Sequence, residues 1–317
     1  MRADLQEPIM DHSGLTKDAC FWRYNTTTII KNMKIDYKDL LDKKLSINSY
    51  MWPNDIRPFE FIETIVKSEI KNVGLHTDFI ESYGVNKLKQ DLSLNKINVT
   101  SVNSVGYFTD PFYFNQNEKI LSYGKILNPD LICVITGGIL GGPNPLSEEF
   151  KQTNNYLDIK TIREETLLKF KTLMSQAEKL KLRLGLEPIG SWEILKKGHL
   201  NSIAICQKLI KNSNHKLIID LYHSFEDLDL DKFLKKSPHL GLLQFSNINF
   251  DKNFRPVGRK TIRNENNIKN IDVAKYLKIL FNRKDNLKIE FEIFRKDYIE
   301  DPQNIILNIK KELLNIL

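Results

Sequence analysis

Acidic and amide side chains follow short apolar runs at three points in the second half of the chain. Glu187 follows residues 184–186, Asp220 follows residues 216–219, and Gln244 follows residues 240–243. Short apolar runs of this kind predict strands that are buried on both faces. Because α/β folds bind ligands at the carboxyl ends of their parallel strands, these three side chains are expected in one shared site.

A further predicted strand, residues 287–294, carries Glu290 and Glu292 between apolar residues. These two residues lie two positions apart, so a strand presents both of them on the same face. Carboxylates that converge in a partly dry site repel one another, and a divalent cation is the usual remedy. Three carboxylates and one amide oxygen suit Mn²⁺ or Mg²⁺, with Co²⁺ and Zn²⁺ as alternatives. The pattern therefore predicts one divalent metal ion.

Strand and helix patterns alternate from residue 45 to the C-terminus. Eight such units without a shift in composition predict a single closed (β/α)8 TIM barrel over residues 41–317. An open, doubly wound α/β sheet is the alternative, but no GxGxxG motif follows the first predicted strand. The predicted strands cover residues 45–50, 73–76, 97–102, 131–135, 184–186, 216–219, 240–243 and 287–294.

The N-terminal segment differs from the rest of the chain. Residues 1–40 contain polar stretches without sustained helical or strand periodicity. Because neither period is present, no regular element is predicted there. We expect a short, irregular N-terminal extension ahead of the barrel and place no function in it.

Composition limits the class of protein. The hydrophobic fraction of the 317 residues is 41%, and no apolar run approaches the roughly 18 residues of a membrane span. Cys20, Cys133 and Cys206 are widely spaced and form no CxxC motif. This usage is typical of a reducing cytoplasm and argues against a zinc–cysteine cluster. We expect a cytoplasmic protein without a membrane partner.

The formal net charge of +7 raises the question of nucleic-acid binding. The basic residues are mostly lysines spread along predicted helix faces, for example Lys179, Lys208 and Lys311, and they form no single stripe. A dispersed distribution is typical of solvated helix faces. The sequence therefore predicts no nucleic-acid partner, and it leaves the oligomeric state open, a homo-oligomer included.

Four motifs occur in a fixed order at the ends of predicted strands five to eight. In that order and context they resemble the metal-bearing motifs of the sugar phosphate isomerase/epimerase family, which has a xylose isomerase-like TIM barrel. The resemblance covers roughly residues 44–317, and the ordered set is more specific than any one motif. The motifs are LEPIG at residues 186–190, IDLYH at 219–223, LQFSN at 243–247 and EFEIF at 290–294.

The resemblance implies a metal site and a pair of catalytic carboxylates. By match to the family's motifs, Glu187, Asp220, Gln244 and Glu292 would hold the metal. Glu292 is chosen over Glu290 from the family's register. In the family's epimerases, the residues matching Glu187 and Glu292 lie on opposite faces of the substrate, where one removes a proton and the other returns it.

The resemblance also implies substrate-binding residues. His223 matches an imidazole that contacts substrate near the metal, and Arg259 matches an arginine that binds substrate oxygens. His76 takes the place of a tryptophan that often ends the second strand. The sequence departs from the family pattern at Ser104, at Asn247 and at residues 263–265. These departures leave the substrate poorly constrained.

We therefore expect a divalent-metal-dependent isomerase or epimerase of a small polyhydroxylated keto compound, such as a keto-sugar or an inosose. Proton transfer would pass through an enediolate that a metal ion stabilises. A metal-dependent dehydratase or lyase of the dehydroshikimate type is the alternative, since it resembles this chain in using Gln at the strand-seven position. A non-catalytic, degenerate paralogue is a third hypothesis. An endonuclease IV-like enzyme would need more histidines than the six present.

Overall fold

A computed structural model describes residues 35–53, 58–110, 114, 116–140, 158–262, 271–297 and 300–317. The described residues from Tyr37 onward belong to one compact unit, Tyr37–Leu317. Most of the predicted extension, residues 1–34, lies outside the described residues, so that prediction stays a prediction. Helix α1 (Tyr37–Lys44) crosses the predicted boundary at residue 40 and buries Leu41.

Eight parallel strands form a closed barrel, as the sequence predicts. Their order around the barrel is β1, β10, β7, β6, β5, β4, β3 and β2. Buried apolar side chains of these strands pack against those of the surrounding helices and form the core between sheet and helices. The strands are β1 (Leu45–Asn48), β2 (Asn72–His76), β3 (Asn98–Gly106), β4 (Leu131–Ile135), β5 (Leu184–Leu186), β6 (Lys216–Asp220), β7 (Leu240–Phe245) and β10 (Lys288–Phe291).

Amphipathic helices surround the barrel and bury their apolar faces against it. No helix among the described residues combines the length and apolar character that crossing a bilayer requires. Besides α1, the helices are α2 (Pro58–Lys67), α3 (Thr77–Tyr83), α4 (Val85–Leu94), α5 (Asn117–Leu127), α6 (Ile159–Lys179), α7 (Ile203–Ile210), α8 (Leu221–Ser224), α9 (Leu230–Lys236), α10 (Val273–Phe281) and α11 (Pro302–Ile316).

Two predicted strands extend past the observed ends, whereas the third, sixth and seventh strands run one to four residues beyond the predicted ends. The first strand ends at Asn48 rather than at residue 50, because the Asn48 side chain accepts from the Tyr50 backbone N–H and begins a 3₁₀ turn. The eighth barrel strand ends at Phe291. Glu292 lies just beyond it, but its backbone N–H still donates to the Phe245 carbonyl at 3.1 Å. Glu292 is therefore fixed to the neighbouring strand.

The segment after β7 is a short antiparallel hairpin, whose strands are not among those predicted from the sequence. Strands β8 (Asn247–Phe250) and β9 (Pro256–Lys260) pair with Ile248 opposite Arg259. The Asp251 carboxylate accepts from two backbone N–H groups in the turn and closes it. The two strands of the hairpin are too short and too polar to give a clear periodic pattern of apolar residues in the sequence. Because it is paired, the hairpin holds Arg259 on a strand.

His215 anchors the strand that delivers Glu187. It precedes β6, and its Nδ1 accepts from the backbone N–H of Leu184 at 3.1 Å. The imidazole is 1% exposed, and burial lowers its pKa below the ordinary value. An acceptor nitrogen must be unprotonated, so the folded protein requires the neutral ring at this position.

The lowered pKa of His215 predicts a loss of stability in acid. Below about pH 6.5 the unfolded chain binds a proton that the folded ring resists, so the free energy of unfolding falls as pH falls. His215→Asn retains an acceptor without titrating in this range. We expect the decrease in unfolding free energy between pH 7.5 and 5.5 to be smaller in this variant, by on the order of 1 kcal/mol. Urea unfolding at both pH values measures it, and equal decreases would contradict the assignment.

Candidate active site

Glu187 and Asp220 lie where the sequence places them, at the ends of adjacent strands. The Glu187 backbone N–H donates to the Val134 carbonyl at 3.1 Å, which extends the pairing of β5 with β4 by one residue. One ligand atom from each of Glu187, Asp220 and His223 lies within 4.8 Å of the others. All three residues are buried. The barrel thus brings together two carboxylates and an imidazole.

Both oxygens of Asp220 have protein partners. Oδ1 accepts from the backbone N–H of Tyr222 at 2.9 Å and caps helix α8. Oδ2 accepts from Arg259 Nη2 at 2.5 Å. A carboxylate offers about four lone-pair sites, so each oxygen retains the capacity for a second contact. Asp220 can therefore hold a cation if Arg259 shares or releases Oδ2.

Arg259 is a buried cation at the centre of the site. Its guanidinium lies 4.6 Å from the ring centroid of Tyr222 and 4.8 Å from that of Phe294. Nη2 also lies 3.7 Å from Glu292 Oε2. Burial opposes the charge, but Asp220 and then Glu292 more than offset this and hold the pKa of Arg259 above its ordinary value. Arg259 is therefore a permanent positive charge beside two carboxylates.

Burial raises the pKa of both proposed catalytic carboxyls. The pKa of Glu292 rises to about 8, because burial and the nearby charges of Asp220 and Glu187 outweigh the opposing effect of Arg259. The pKa of Glu187 is also raised, first by burial, although Lys197 opposes the shift. A carboxyl group titrating near neutral pH can act as a general acid or a general base.

Glu290 lies deeper in the barrel than Glu292 and is fully buried. In the strand register, Glu290 lies opposite Gln244, and Gln244 lies opposite Asp220. All three residues therefore belong to one layer across adjacent strands. Gln244 Nε2 donates to Glu290 Oε1 at 2.9 Å. Gln244 Oε1 is buried and has no hydrogen-bond partner in the described part of the chain. A buried acceptor left without a donor is a natural ligand for a cation.

The predicted ligand residues fit a divalent metal ion. The donor set of Glu187, Asp220, Glu292 and Gln244 Oε1 is all oxygen, which suits a hard cation. Gln244 Oε1 would gain the partner that it otherwise lacks. The set carries more negative charge than Arg259 alone neutralises. The fit thus rests on the residues present, and the assignment of each ligand remains a proposal.

Lys197 is a site residue that the sequence analysis missed. Its ammonium lies 3.0 Å from Nε2 of His223, and it acts on the pKa values of Glu187 and Glu292. Because an ammonium can only donate, His223 Nε2 accepts and the imidazole is neutral. Burial first, and then the charges of Lys197 and Arg259, hold the pKa of His223 well below its usual value. Lys197 follows a short 3₁₀ turn, so no periodic pattern marks it.

A cavity of about 460 Å³ lies beside this group at the carboxyl ends of the strands. Among the described residues, its lining does not include the four predicted metal ligands. Its lining includes His223, Arg259, Lys197 and Phe294. Lys197 and Lys296 lie 5.8 and 5.7 Å from the ring centroid of Phe294, which Arg259 also contacts. One wall of the cavity is therefore rich in positive charge, although Glu193 and Asp297 also line it.

His76 lies apart from this group. Its ring stacks on Tyr50 with centroids 4.1 Å apart, and its Nδ1 is 3.6 Å from Asp78. It lines a neighbouring cavity of about 470 Å³, and Tyr50 borders both cavities. The structure thus brings six of the seven predicted site residues together. His76 instead lines the neighbouring cavity, which shares Tyr50 with this site. Its predicted contact with substrate remains a prediction.

No family model matches the sequence, and comparison with curated proteins gives no match. Solved structures do match. A xylose isomerase domain containing protein from Salmonella typhimurium LT2 is 15% identical, with a TM-score of 0.65 over 90% of this chain and 99% of that chain. The IolI protein, solved with a zinc atom, is 14% identical, with a TM-score of 0.65 over 86% of this chain and 97% of that chain.

A third match is the apo form of a 3-keto-D-glucoside 4-epimerase, YcjR, from E. coli. It is 14% identical, with a TM-score of 0.60 over 86% of this chain and 98% of that chain. At identities this low, structural similarity establishes the fold alone. The similarity extends over nearly the whole of each neighbour. The described part of the chain has the fold of the xylose isomerase-like TIM barrels.

Proposed function

We propose that this protein is a divalent-metal-dependent isomerase or epimerase of a small polyhydroxylated keto compound, of the keto-sugar or inosose type. The observation that carries the proposal is the convergence of buried carboxyls at one end of the barrel, where Glu187 lies 4.0 Å from His223 and Glu292 lies 3.7 Å from Arg259. Epimerisation inverts a carbon next to a carbonyl, and two such groups can carry it out, one removing the proton and the other returning it on the opposite face. They lie beside Asp220 and Gln244, which complete an all-oxygen ligand set.

Similar proteins support this reading. The E. coli neighbour is an epimerase of a 3-keto-D-glucoside, and the IolI neighbour has a bound zinc atom. A common fold does not fix function, so the proposal depends on the residues of this chain. The site of this chain offers oxygen ligands for a metal ion and carboxylates for the proton transfer of an epimerase.

Glu187, Asp220, Gln244 and Glu292 would hold the metal ion, which supplies Lewis-acid polarisation of the substrate carbonyl when bound. Glu187 or Glu292 in its ionised form would take the proton from the carbon beside that carbonyl. The other carboxyl, in its protonated form, would deliver a proton to the carbon. The Cys133 thiol donates to Glu187 Oε2 at 3.2 Å and orients that carboxylate.

Basic residues would bind the substrate oxygens. Arg259 Nε is buried without a hydrogen-bond partner within the described ranges, so it can donate to a substrate oxygen. Lys197 would stabilise negative charge that develops on oxygen as the proton leaves. Tyr222 and Phe294 hold the guanidinium between their rings and keep water from it.

A metal-dependent dehydratase acting on a hydroxy-keto acid is the second candidate. The observation that favours it is the group of three cations, Lys197, Lys296 and Arg259, around the ring of Phe294. A substrate carboxylate would match this charge, whereas a neutral sugar would not need it. The initial proton abstraction is the same, but a hydroxyl then leaves. Product NMR distinguishes loss of water from epimerisation.

Solvent exchange tests the proposed chemistry. In D₂O with Mn²⁺ and a panel of ketohexoses and inososes, we expect one substrate to gain deuterium at the carbon beside its carbonyl. Glu292→Gln should slow this exchange by about 10²- to 10⁴-fold, because the amide cannot transfer the proton. Proton NMR follows the exchange.

Glu226→Gln is a matched control, since Glu226 contacts Ser191 on the same rim without joining the carboxylate cluster. It should exchange at the wild-type rate. If Glu292→Gln and Glu226→Gln exchange equally fast, the proposed role of Glu292 is wrong.

Replacing Lys197 tests its proposed contact with substrate. An ammonium hydrogen bond is worth about 1.5–3 kcal/mol, so Lys197→Met should lower kcat/KM about 10- to 100-fold. Lys197→Arg should retain part of the activity because it keeps the charge. The adjacent, exposed Lys196 lines the same cavity, and Lys196→Met should change kcat/KM by no more than about twofold. Equal effects at both positions would contradict a specific role for Lys197.

A further inference from the structure

The side-chain amide of Gln244 has two unlike ends, and only its oxygen can bind a cation. The structure places Nε2 2.9 Å from Glu290 Oε1, and leaves Oε1 of Gln244 buried and without a protein donor among the described residues. An ionised carboxylate only accepts hydrogen bonds, so it attracts the NH₂ group and repels the oxygen. Glu290 therefore selects one of the two orientations of the amide.

Glu290 itself is held rigidly by neutral donors. Its carboxylate accepts from Asn48 Nδ2 at 2.8 Å, from Thr100 Oγ1 at 2.6 Å and from Ser101 Oγ at 2.9 and 3.0 Å. Ser46 Oγ adds a longer contact at 3.3 Å. These donors satisfy both oxygens of the carboxyl group, as buried polar groups require. The barrel thus fixes the position of the Glu290 carboxyl group beneath Gln244.

The backbone makes room for this carboxylate. Gly74 of strand β2 faces it, and a Cβ atom at that position would lie 2.4 Å from Glu290 Oε2. Any side chain there would displace the carboxyl group. The space around Glu290 is therefore built by a glycine on one strand and by hydroxyl and amide groups on three others.

We propose that Glu290 is a positioning residue that turns the Gln244 amide so that its oxygen serves as a metal ligand. This inference rests on the proposed function, because it presupposes the metal site formed by Glu187, Asp220, Gln244 and Glu292. Glu290 does not bind the metal in this account. It acts through Gln244, whose amide would otherwise be free to present either end.

Residues that orient a metal ligand typically change metal affinity by 10- to 100-fold when they are replaced. We expect a change in metal affinity of the same size when the contact between Glu290 and Gln244 is lost. Glu290→Gln removes the preference for one orientation of the Gln244 amide, because a carboxamide both donates and accepts hydrogen bonds. Glu290→Asp keeps the negative charge but shortens the side chain by one methylene, so it weakens the contact with Nε2.

The experiment is a double-mutant cycle on the full chain, stripped of metal and titrated with MnCl₂ by calorimetry. We expect Glu290→Gln and Glu290→Asp each to weaken Mn²⁺ binding by at least about tenfold. In a Gln244→Ala background, either change should weaken binding by less than about twofold, because the ligand that Glu290 orients is gone. Glu226→Gln is the matched control, since Glu226 contacts Ser191 outside the carboxylate cluster, and it should leave the Mn²⁺ affinity unchanged.

Urea unfolding of each metal-free variant checks that it folds. If Glu290→Gln fails to fold, Glu290→Asp alone decides the cycle. Equal loss of affinity in the Gln244 and Gln244→Ala backgrounds would mean that Glu290 acts only as a distant charge, and wild-type affinity in Glu290→Asp would mean the same. Either result overturns the positioning role. If the wild-type chain binds no Mn²⁺, the proposed function and the positioning role both fail, whereas Mn²⁺ binding without coupling sinks only the positioning role.

Discussion

The cost of burying negative charge governs the inner end of this barrel. Glu187, Asp220, Glu290 and Glu292 are each at most 4% exposed. An isolated carboxylate cannot stay ionised in such surroundings without partners. Each of the four has a different set of partners, and that difference separates their roles. The hydrogen bonds and charges that surround each buried carboxylate therefore determine which chemistry it can perform.

Asp220 and Glu290 are the well-compensated members of this set. Asp220 has a guanidinium and a backbone N–H, and Glu290 has a ring of neutral donors. Within the described ranges the side chain of Glu292 has no hydrogen bond, Arg259 Nη2 lies 3.7 Å from its Oε2, and its pKa rises to about 8. Under the proposed function, Asp220 and Glu290 would serve binding and positioning, while the poorly compensated Glu292 would transfer protons.

Unbroken apolar runs made the barrel and several of its strand-end residues predictable from sequence. Glu187 and Asp220 follow such runs directly, and the structure places both at strand ends. Lys197 and the hairpin that carries Arg259 have no periodic pattern, so their positions depend on tertiary packing. The contact between Gln244 and Glu290 joins residues 46 positions apart. It depends on the register of two strands that pair only when the barrel closes.

We propose that the buried oxygen ligands of this barrel bind one divalent metal ion. A crystal structure of the protein soaked in Mn²⁺, with anomalous data, would show this ion. We expect a single anomalous peak bonded to oxygens of Glu187, Asp220 and Glu292 and to Oε1 of Gln244. Diffraction that shows no such peak, with Arg259 still paired to Asp220 in the presence of excess Mn²⁺, would contradict it.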